Sequence, residues 1–290
     1  MNSRSTILTH RVTYQTTITN TTTTPLTNIR IFIAFPPPFQ PYQQLIDIKP
    51  TSNLGQQATD LVGNHWLEFP CHRLAGHDSL TYGYTALVRN RSVQYQFSQS
   101  IENQSIPKPL LVYTKPEYFI ESHHHLIKDL AQELSQDQPG LIPFIRTAMR
   151  SVTKILRYEP QRYERGAAYA IENKVGDCTE YAALFAALCR ARGIPARLIS
   201  GFASSKKKWE RHGWSEVWIR NHWIPVDPTW FGAIGWLGVT NRHLPLIIGN
   251  WMDIRSEQEF KVTWSQQPNT KAPRLNSIWK VSQVVSLHPS

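Results

Sequence analysis

Cysteine is scarce in this sequence. The 290 residues include only Cys71, Cys178 and Cys189, which is too small a set, and an odd one, for a disulfide scaffold. At least one thiol must be free in a monomer, which fits a reducing compartment and leaves room for a thiolate nucleophile. Because cysteine buries readily as a small apolar residue, we expect Cys71 and Cys189 to be ordinary core residues.

Long apolar segments are also lacking. No run approaches the roughly 18 residues of a membrane span, and residues 1–20 lack the apolar segment of a signal peptide. The sequence therefore predicts a cytoplasmic protein without a membrane partner. Its 41% apolar and 18% charged residues exclude a disordered chain, and its length predicts two domains.

Acidic residues are fewer than basic ones. There are 21 Asp and Glu against 31 Lys and Arg, which gives a net charge of +10. Such an excess can attract nucleic acid or acidic substrates. The basic residues are spread along the chain, however, and no zinc finger, aromatic–basic signature or recognition-helix pattern accompanies them. We therefore predict no nucleic-acid partner.

The first third of the chain has the pattern of short strands. Within residues 1–98, apolar side chains alternate with other residues at 29–35, 80–88 and 93–97. Turn residues separate these stretches, as expected for antiparallel strands. Several such strands without helical segments between them predict an all-β sandwich.

The pattern changes after this region. Residues 99–117 contain three prolines and little periodicity, which predicts a linker. Residues 118–262 show helical periodicity followed by strands, so the fold class is predicted to be α+β. Residues 263–290 are left as a C-terminal extension. The expected helices are 122–135, 141–156 and one that starts at Cys178, and the expected strands are 196–203, 214–220 and 222–226.

One helix start carries a candidate nucleophile. Asp177 and Glu180 have the spacing of a capping box, an acceptor at the N-cap followed three residues later by Glu. Cys178 would then be the first helical residue, with its sulfur at the positive end of the helix dipole, where a thiolate is stabilised. The apolar run that follows predicts a buried helix.

A predicted hairpin downstream supplies a base and a carboxylate. His212 opens one strand and Asp227 closes the returning strand, 15 positions later, with a turn at residues 221–222. The two side chains should therefore lie near each other at one end of the hairpin. There, a carboxylate can hold the imidazole in the tautomer that faces a thiol.

Four ordered blocks at these positions resemble the transglutaminase-like superfamily. They are Gly176–Cys178, Cys189–Arg197, His212–Val217 and Trp223–Thr229. The resemblance covers about residues 118–262, and the β-rich start is similar to the N-terminal sandwich of bacterial members. It implies a papain-like, transglutaminase-like core with Cys178 as nucleophile, His212 as base and Asp227 as the group that orients it.

The resemblance also implies acyl transfer through a thioester, with a peptide or protein as the substrate. The leading function is a thiol hydrolase of peptide or isopeptide bonds. Protein–glutamine gamma-glutamyltransferase is the alternative, and a noncatalytic binding module is a second one. We expect no cofactor and no metal, because no acidic loop of the EF-hand kind is present to hold calcium. The sequence leaves the oligomeric state open.

Each candidate residue also has an ordinary structural interpretation. Cys178 alone could be a core cysteine, His212 a strand-end histidine, and Asp227, before a proline, a turn residue. The complete set of three argues for catalysis. Two further site residues are suggested. Tyr158 is a candidate oxyanion donor, and Trp214 could be a plain core residue or could wall the cleft beside His212.

Three other features receive plainer interpretations. The run His123–His125 is expected to be a solvated helix start, since adjacent helical residues do not converge on one ion. His222 is expected to be structural. Residues 204–211, with three lysines, are predicted to form a loop whose tip overhangs the cleft. It is expected to be a solvated surface loop, and the alternative is that it attracts acidic substrates.

Overall fold

The computed structural model describes residues 7–97, 104–205, 208–231, 237–249, 260–265 and 272–284. The helices among them are α1 (His125–Asp137), α2 (Leu141–Ile155), α3 (Gly166–Asn173) and α4 (Cys178–Ala191), with a 3₁₀ helix at Lys108–Thr114. The strands are β1 (Ile7–Thr19), β2 (Leu26–Phe35), β3 (Gln43–Pro50), β4 (Gln56–Thr59), β5 (His65–Leu74), β6 (Ser79–Arg91), β7 (Val93–Tyr95), β8 (Arg157–Tyr158), β9 (Val175–Gly176), β10 (Ala196–Ser205), β11 (Lys208–Ile219), β12 (His222–Val226), β13 (Leu237–Val239), β14 (His243–Ile248), β15 (Phe260–Ser265) and β16 (Arg274–Gln283).

Two four-stranded sheets form the predicted β-sandwich. Their strand orders are β16-β1-β6-β3 and β15-β2-β5-β4. Alternate side chains of both sheets point into one shared apolar core, as Tyr14 and Ile18 of β1 and Ile31 and Ile33 of β2 do. The alternation that predicted the strands is thus the burial pattern of the sandwich.

The C-terminal strands differ from the prediction, which left residues 263–290 as an extension. Strand β16 pairs along its whole length with β1, from His10 opposite Gln283 to Thr19 opposite Arg274. Strand β15, placed by the prediction across the end of the core domain and the start of the extension, pairs with β2. The sandwich is therefore completed by the far end of the chain, a long-range pairing that local periodicity cannot reveal.

The second unit packs helices against a six-stranded sheet of order β14-β10-β11-β12-β13-β7. Helix α4 is buried on nearly all sides, as its apolar sequence predicted, and packs against β11 and the other helices. The opposite face of β10 and β14 meets the sandwich, where Phe202 and Leu244 join its core. Strand β7, placed in the first domain by the sequence, belongs to this sheet through its pairing with β13.

The six-stranded sheet must curl. Strands β13 and β14 are four strand spacings apart in the sheet order, which is about 19 Å across a flat sheet. Only residues 240–242 join them, and the step from Val239 to His243 spans at most about 14 Å. The curl brings the end of β12 close to the start of β14.

The predicted boundaries inside the core domain need smaller corrections. Helix α1 begins at His125 and not at Ser122, and the short helix α3 was not predicted. Of the expected loop at residues 204–211, the described residues 204–205 and 208–211 belong to strands β10 and β11, where Ser204 pairs with Trp209. Lys206 and Lys207 lie outside the described residues.

The predicted linker at residues 99–117 contacts the six-stranded sheet in the part that the structure describes. Residues 98–103 lie outside the described residues. Beyond them, the side chain of Gln104 donates to the carbonyl of Trp218 at 2.7 Å and accepts from the N–H of Arg220 at 3.1 Å. The described part of the linker is thereby tied to the turn between β11 and β12. No helix among the described residues is both long and apolar enough to cross a membrane.

The pairing of β16 gives a prediction about stability. Ending the chain after residue 271 removes the partner of β1 and the stacking of Trp279 on Phe202, whose ring centres lie 4.1 Å apart. We expect a lower Tm and faster proteolysis, because an unpaired strand edge and apolar core become exposed. Ending it after Val284 is the matched control and should leave the Tm unchanged. Equal Tm values for the two truncations would contradict the role assigned to β16.

Candidate active site

Cys178 lies at the start of α4, and the local sequence fixes that start. The Asp177 carboxylate accepts the N–H of Thr179 at 3.0 Å, and the Glu180 carboxylate accepts the N–H of Asp177 at 3.0 Å. The predicted capping box is confirmed. As the first residue of α4, Cys178 lies at the positive end of the helix dipole. It is also partly exposed, although the rest of the helix is buried.

The approach to the helix requires a glycine. A Cβ on Gly176 would lie 2.3 Å from the Cβ of Glu180, so a larger residue would push the cap apart. Burial, the largest effect on Glu180, raises the pKa of its carboxyl to about 7, although backbone hydrogen bonds from Arg165 and Asp177 oppose the shift. The side chain thus serves as a buried anchor for the helix start.

Strand β11 brings His212 next to Cys178. The hydroxyl of Ser215 donates to the carbonyl of Ala182 at 2.9 Å, which locks the strand onto α4. The strand runs directly beside the start of α4, since a Cβ on Gly213 would be in ordinary contact with Thr179 at 3.4 Å. His212 lies beside Cys178, whose side chain contributes to the raised pKa of the imidazole. Its Nε2 is 2.8 Å from Oδ2 of Asp227, which leaves Nδ1 for the sulfur.

Asp227 is fully buried and receives four hydrogen bonds. Oδ1 accepts the N–H groups of Thr229 at 3.0 Å and Trp230 at 3.1 Å. Oδ2 accepts from Nε2 of His212 and, at 2.9 Å, from Nε2 of His243. His243 was not identified from the sequence. No motif surrounds it, and only the curl of the sheet brings it to Asp227.

The electrostatics of the cluster follow from burial and from these contacts. Burial lowers the pKa of His212, but the charge and hydrogen bond of Asp227, with a smaller effect of Cys178, outweigh it and raise the pKa to about 10. Burial raises the pKa of Asp227, yet His212 and His243 together hold it well below its usual range. Burial lowers the pKa of His243. The cluster therefore contains a protonated imidazole, a carboxylate and a neutral imidazole.

His212, Asp227 and His243 place three possible metal-ligand atoms within 4.8 Å of one another. A metal would need a lone pair on Nε2 of each histidine. Nδ1 of His243, however, accepts the N–H of Thr240 at 3.2 Å, so the proton of the neutral ring is on Nε2 and points at Asp227. The three side chains therefore form a hydrogen-bonded cluster and not a metal site.

Aromatic rings enclose the imidazole of His212. Trp230, which the sequence analysis did not single out, stacks on it with ring centres 4.8 Å apart. Trp214 stacks at 6.0 Å and is completely buried. Of the two interpretations of Trp214, the core residue is the correct one, because the ring lies in the core and supports His212 from the inside. The alternative, a wall of the cleft, is wrong.

Tyr158, the suggested oxyanion donor, lies on the strand pair that leads into α4. Tyr158 of β8 pairs with Gly176 and is half exposed. Partial burial, followed by the charges of Cys178 and Asp177, raises the pKa of its phenol to about 12, so the hydroxyl remains a donor at neutral pH.

Cys189 is buried in the core, as predicted, and burial raises the pKa of its thiol. His124 contacts Glu172 at 3.0 Å, and His222 lies on the surface at the start of β12.

A helix that begins with cysteine, packed against an antiparallel sheet that supplies histidine and aspartate, defines the papain-like class of folds. Residues 128–228 match the sequence profile of the transglutaminase-like superfamily. This part of the chain is therefore a transglutaminase-like core domain, as the resemblance implied.

The chain is similar to several individual proteins. A candidate cysteine protease from Cytophaga hutchinsonii superimposes with a TM-score of 0.72 at 15% identity, over 97% of this chain and 92% of that one. The periplasmic domain of TgpA from Pseudomonas aeruginosa gives a TM-score of 0.39 at 17% identity, over 80% of this chain and 90% of that one. A protein-glutamine gamma-glutamyltransferase of Pseudomonas aeruginosa is 30% identical over 73 residues, which are 21% of this chain and 11% of that protein.

The protonation of His212 can be measured directly. We expect its ring to stay protonated up to about pH 10 in ¹⁵N NMR titrations, because the Asp227 carboxylate raises its pKa. In Asp227→Asn the charge is removed, and the titration should move down towards the ordinary value for histidine. The titration of His65 in the sandwich, where burial lowers the pKa of the ring, is the internal control and should be the same in both proteins. A His212 pKa unaffected by Asp227→Asn would contradict the assigned electrostatics.

Proposed function

We propose that this protein is a cysteine-dependent acyl-transfer enzyme that acts on amide bonds of peptides or proteins. One observation carries the proposal: Cys178, at a helix N-terminus, contacts His212, whose second nitrogen is held by the buried carboxylate of Asp227. This arrangement meets the requirements of an activated thiol nucleophile, namely a base within reach and a third group that orients the base.

Acylation follows from the positions of these atoms. The sulfur of Cys178 attacks the amide carbonyl carbon, and the developing oxyanion is stabilised by the N–H of Cys178 together with the hydroxyl of Tyr158. The C–N bond then breaks, the proton on Nδ1 of His212 passes to the leaving amine, and a thioester remains on Cys178. The carboxylate of Asp227 stabilises the imidazolium until it donates its proton.

The thioester can then be resolved in two ways. If water attacks the thioester, His212 accepts its proton and the products are an acid and the free thiol. If a primary amine attacks, the product is a new amide. The fold shared with a candidate cysteine protease is in keeping with hydrolysis. The short match to a gamma-glutamyltransferase keeps transfer to an amine as the second candidate.

The experiment incubates the protein with glutamine-containing peptides, with and without a primary amine, and identifies the products by mass spectrometry. Hydrolysis gives chain cleavage or deamidation in both mixtures, whereas transfer gives an amine adduct only where the amine is present. We expect Cys178→Ala to abolish either product while the Tm remains close to that of the parent.

Cys71→Ser is the matched control for the nucleophile. Cys71 is a half-buried cysteine of the sandwich, and its replacement should leave turnover unchanged. Turnover retained in Cys178→Ala would refute the assignment. If no thiol-dependent turnover occurs and an alkylating label shows no preference for Cys178, the noncatalytic binding module becomes the better explanation.

The oxyanion role of Tyr158 has its own test. Tyr158→Phe removes the hydroxyl and keeps the ring contact with Tyr181. Loss of one oxyanion donor typically costs about 100-fold or more in kcat, and KM should change little, because the donor acts on the charge that develops during reaction. Tyr163→Phe, an exposed tyrosine of the following loop, is the control and should keep full activity. Equal kcat values for the two variants would exclude Tyr158 from the oxyanion site.

A further inference from the structure

The further inference concerns His243, a buried histidine outside the matched core at residues 128–228, and it rests on the function proposed above. We propose that His243 is a positioning residue for Asp227, and that the β-sandwich holds His243 in place. The sandwich is then a structural part of the active site and not an appended binding module.

The first step of the argument is the geometry at Oδ2 of Asp227. This one oxygen accepts from both His212 and His243, at 2.8 and 2.9 Å. The other oxygen is fixed by two backbone N–H groups. Without His243, the carboxylate would keep its anchor at Oδ1 but could tilt at Oδ2. The orientation of the His212 ring depends on its hydrogen bond to that oxygen. Without His243, Nδ1 of His212 would therefore be held less firmly in the orientation that faces the sulfur of Cys178.

The second step is that His243 can only donate to Asp227. Its Nδ1 accepts the backbone N–H of Thr240 at 3.2 Å and lies 3.1 Å from the hydroxyl of the same residue. The ring is completely buried, with Trp214 and Trp230 packed edge-on against it. The fixed tautomer makes His243 a permanent neutral donor, which supports the carboxylate without competing with His212 for a charge.

The third step is that hydrogen bonds from the sandwich fix the backbone of the segment that carries His243. The amide of Asn90 donates to the carbonyl of His243 at 3.0 Å, and Gln43 donates to that of Pro245 at 2.9 Å. On the adjoining turn, the hydroxyl of Ser92 accepts the N–H of Asn241 at 2.9 Å, and Nε2 of His10 donates to its carbonyl at 3.0 Å. The backbone on both sides of His243 is therefore bonded to residues before position 98.

Two substitutions at position 243 test the positioning role. His243→Leu removes the donor, and we expect kcat to fall about 10- to 100-fold with little change in KM, the usual effect of losing a hydrogen bond to a charged group that aligns a catalytic base. His243→Gln, whose amide can donate from nearly the same place, should recover most of kcat. A Leu variant as active as the parent, or a Gln variant as impaired as the Leu variant at equal Tm, would overturn the proposal.

A spectroscopic measurement tests the tautomer without any substrate. In ¹⁵N NMR spectra, His243 should show a protonated Nε2 and an unprotonated Nδ1 at neutral pH. It should keep this tautomer at a pH below the usual histidine pKa of about 6.5, because burial lowers the pKa of the ring. Detection of the Nδ1–H tautomer, or of an imidazolium at position 243 at neutral pH, would overturn it. A purely space-filling histidine would have no fixed tautomer.

The role of the sandwich is tested by two matched interface variants. Asn90→Ala removes the bond to His243, and Asn64→Ala removes two bonds to Ile248, at the opposite end of β14. Both should lower the Tm, but only Asn90→Ala should lower kcat. Equal effects on kcat would show that the sandwich contributes stability alone and would overturn this part of the proposal.

A second readout separates this inference from the proposed function. In a Cys71→Ser background, the rate of Cys178 alkylation by iodoacetamide reports how far a correctly oriented His212 activates the sulfur. This readout does not require that an amide is turned over. We expect it to fall in His243→Leu and in Asn90→Ala, and to recover in His243→Gln. Failure of the proposed function would appear as absent amide turnover with this alkylation pattern intact, whereas unchanged alkylation rates would refute the role of His243.

Discussion

The buried carboxylate of Asp227 is the constraint on which the rest of the site depends. A charge without solvent exposure is costly unless hydrogen bonds and opposite charge compensate it. Asp227 obtains four donors from three parts of the chain: the residues directly after β12, His212 on β11 and His243 on β14. Satisfying that one group requires the sheet to curl and requires β14 to be held where it is.

Cys178 is positioned by a separate and more local mechanism. The cap at Asp177 and Glu180 fixes where α4 begins, and the apolar surface of the helix fixes its depth in the core. Ser215 then joins the helix to the strand that carries His212. Cys178 and His212 meet because two rigid elements pack together, so their distance does not depend on a flexible loop. Preorganisation of this kind favours a reactive geometry before substrate binds.

The sandwich and the core share one structural framework. Strand β16 closes the sandwich and also stacks Trp279 on Phe202 of the six-stranded sheet. Tyr42 crosses the boundary to donate to Glu216 at 2.9 Å, and Arg197 forms a buried ion pair with the same carboxylate at 2.6 Å. The ion pair itself lies within the six-stranded sheet. Separating the two units would therefore leave the buried carboxylate of Glu216 with one hydrogen-bond donor fewer, which favours the observed arrangement.

The sequence by itself determined the features that arise from neighbouring residues. The capping box, the hairpin between His212 and Asp227 and the alternation in β1 and β2 each depend on spacings of a few residues, which propensity and periodicity encode. Tertiary structure alone decided the pairing of β16 with β1, the burial of Trp214 and the contact between His243 and Asp227. These depend on how sheets curl and pack, and that is set by the summed burial of many distant side chains and not by any local pattern.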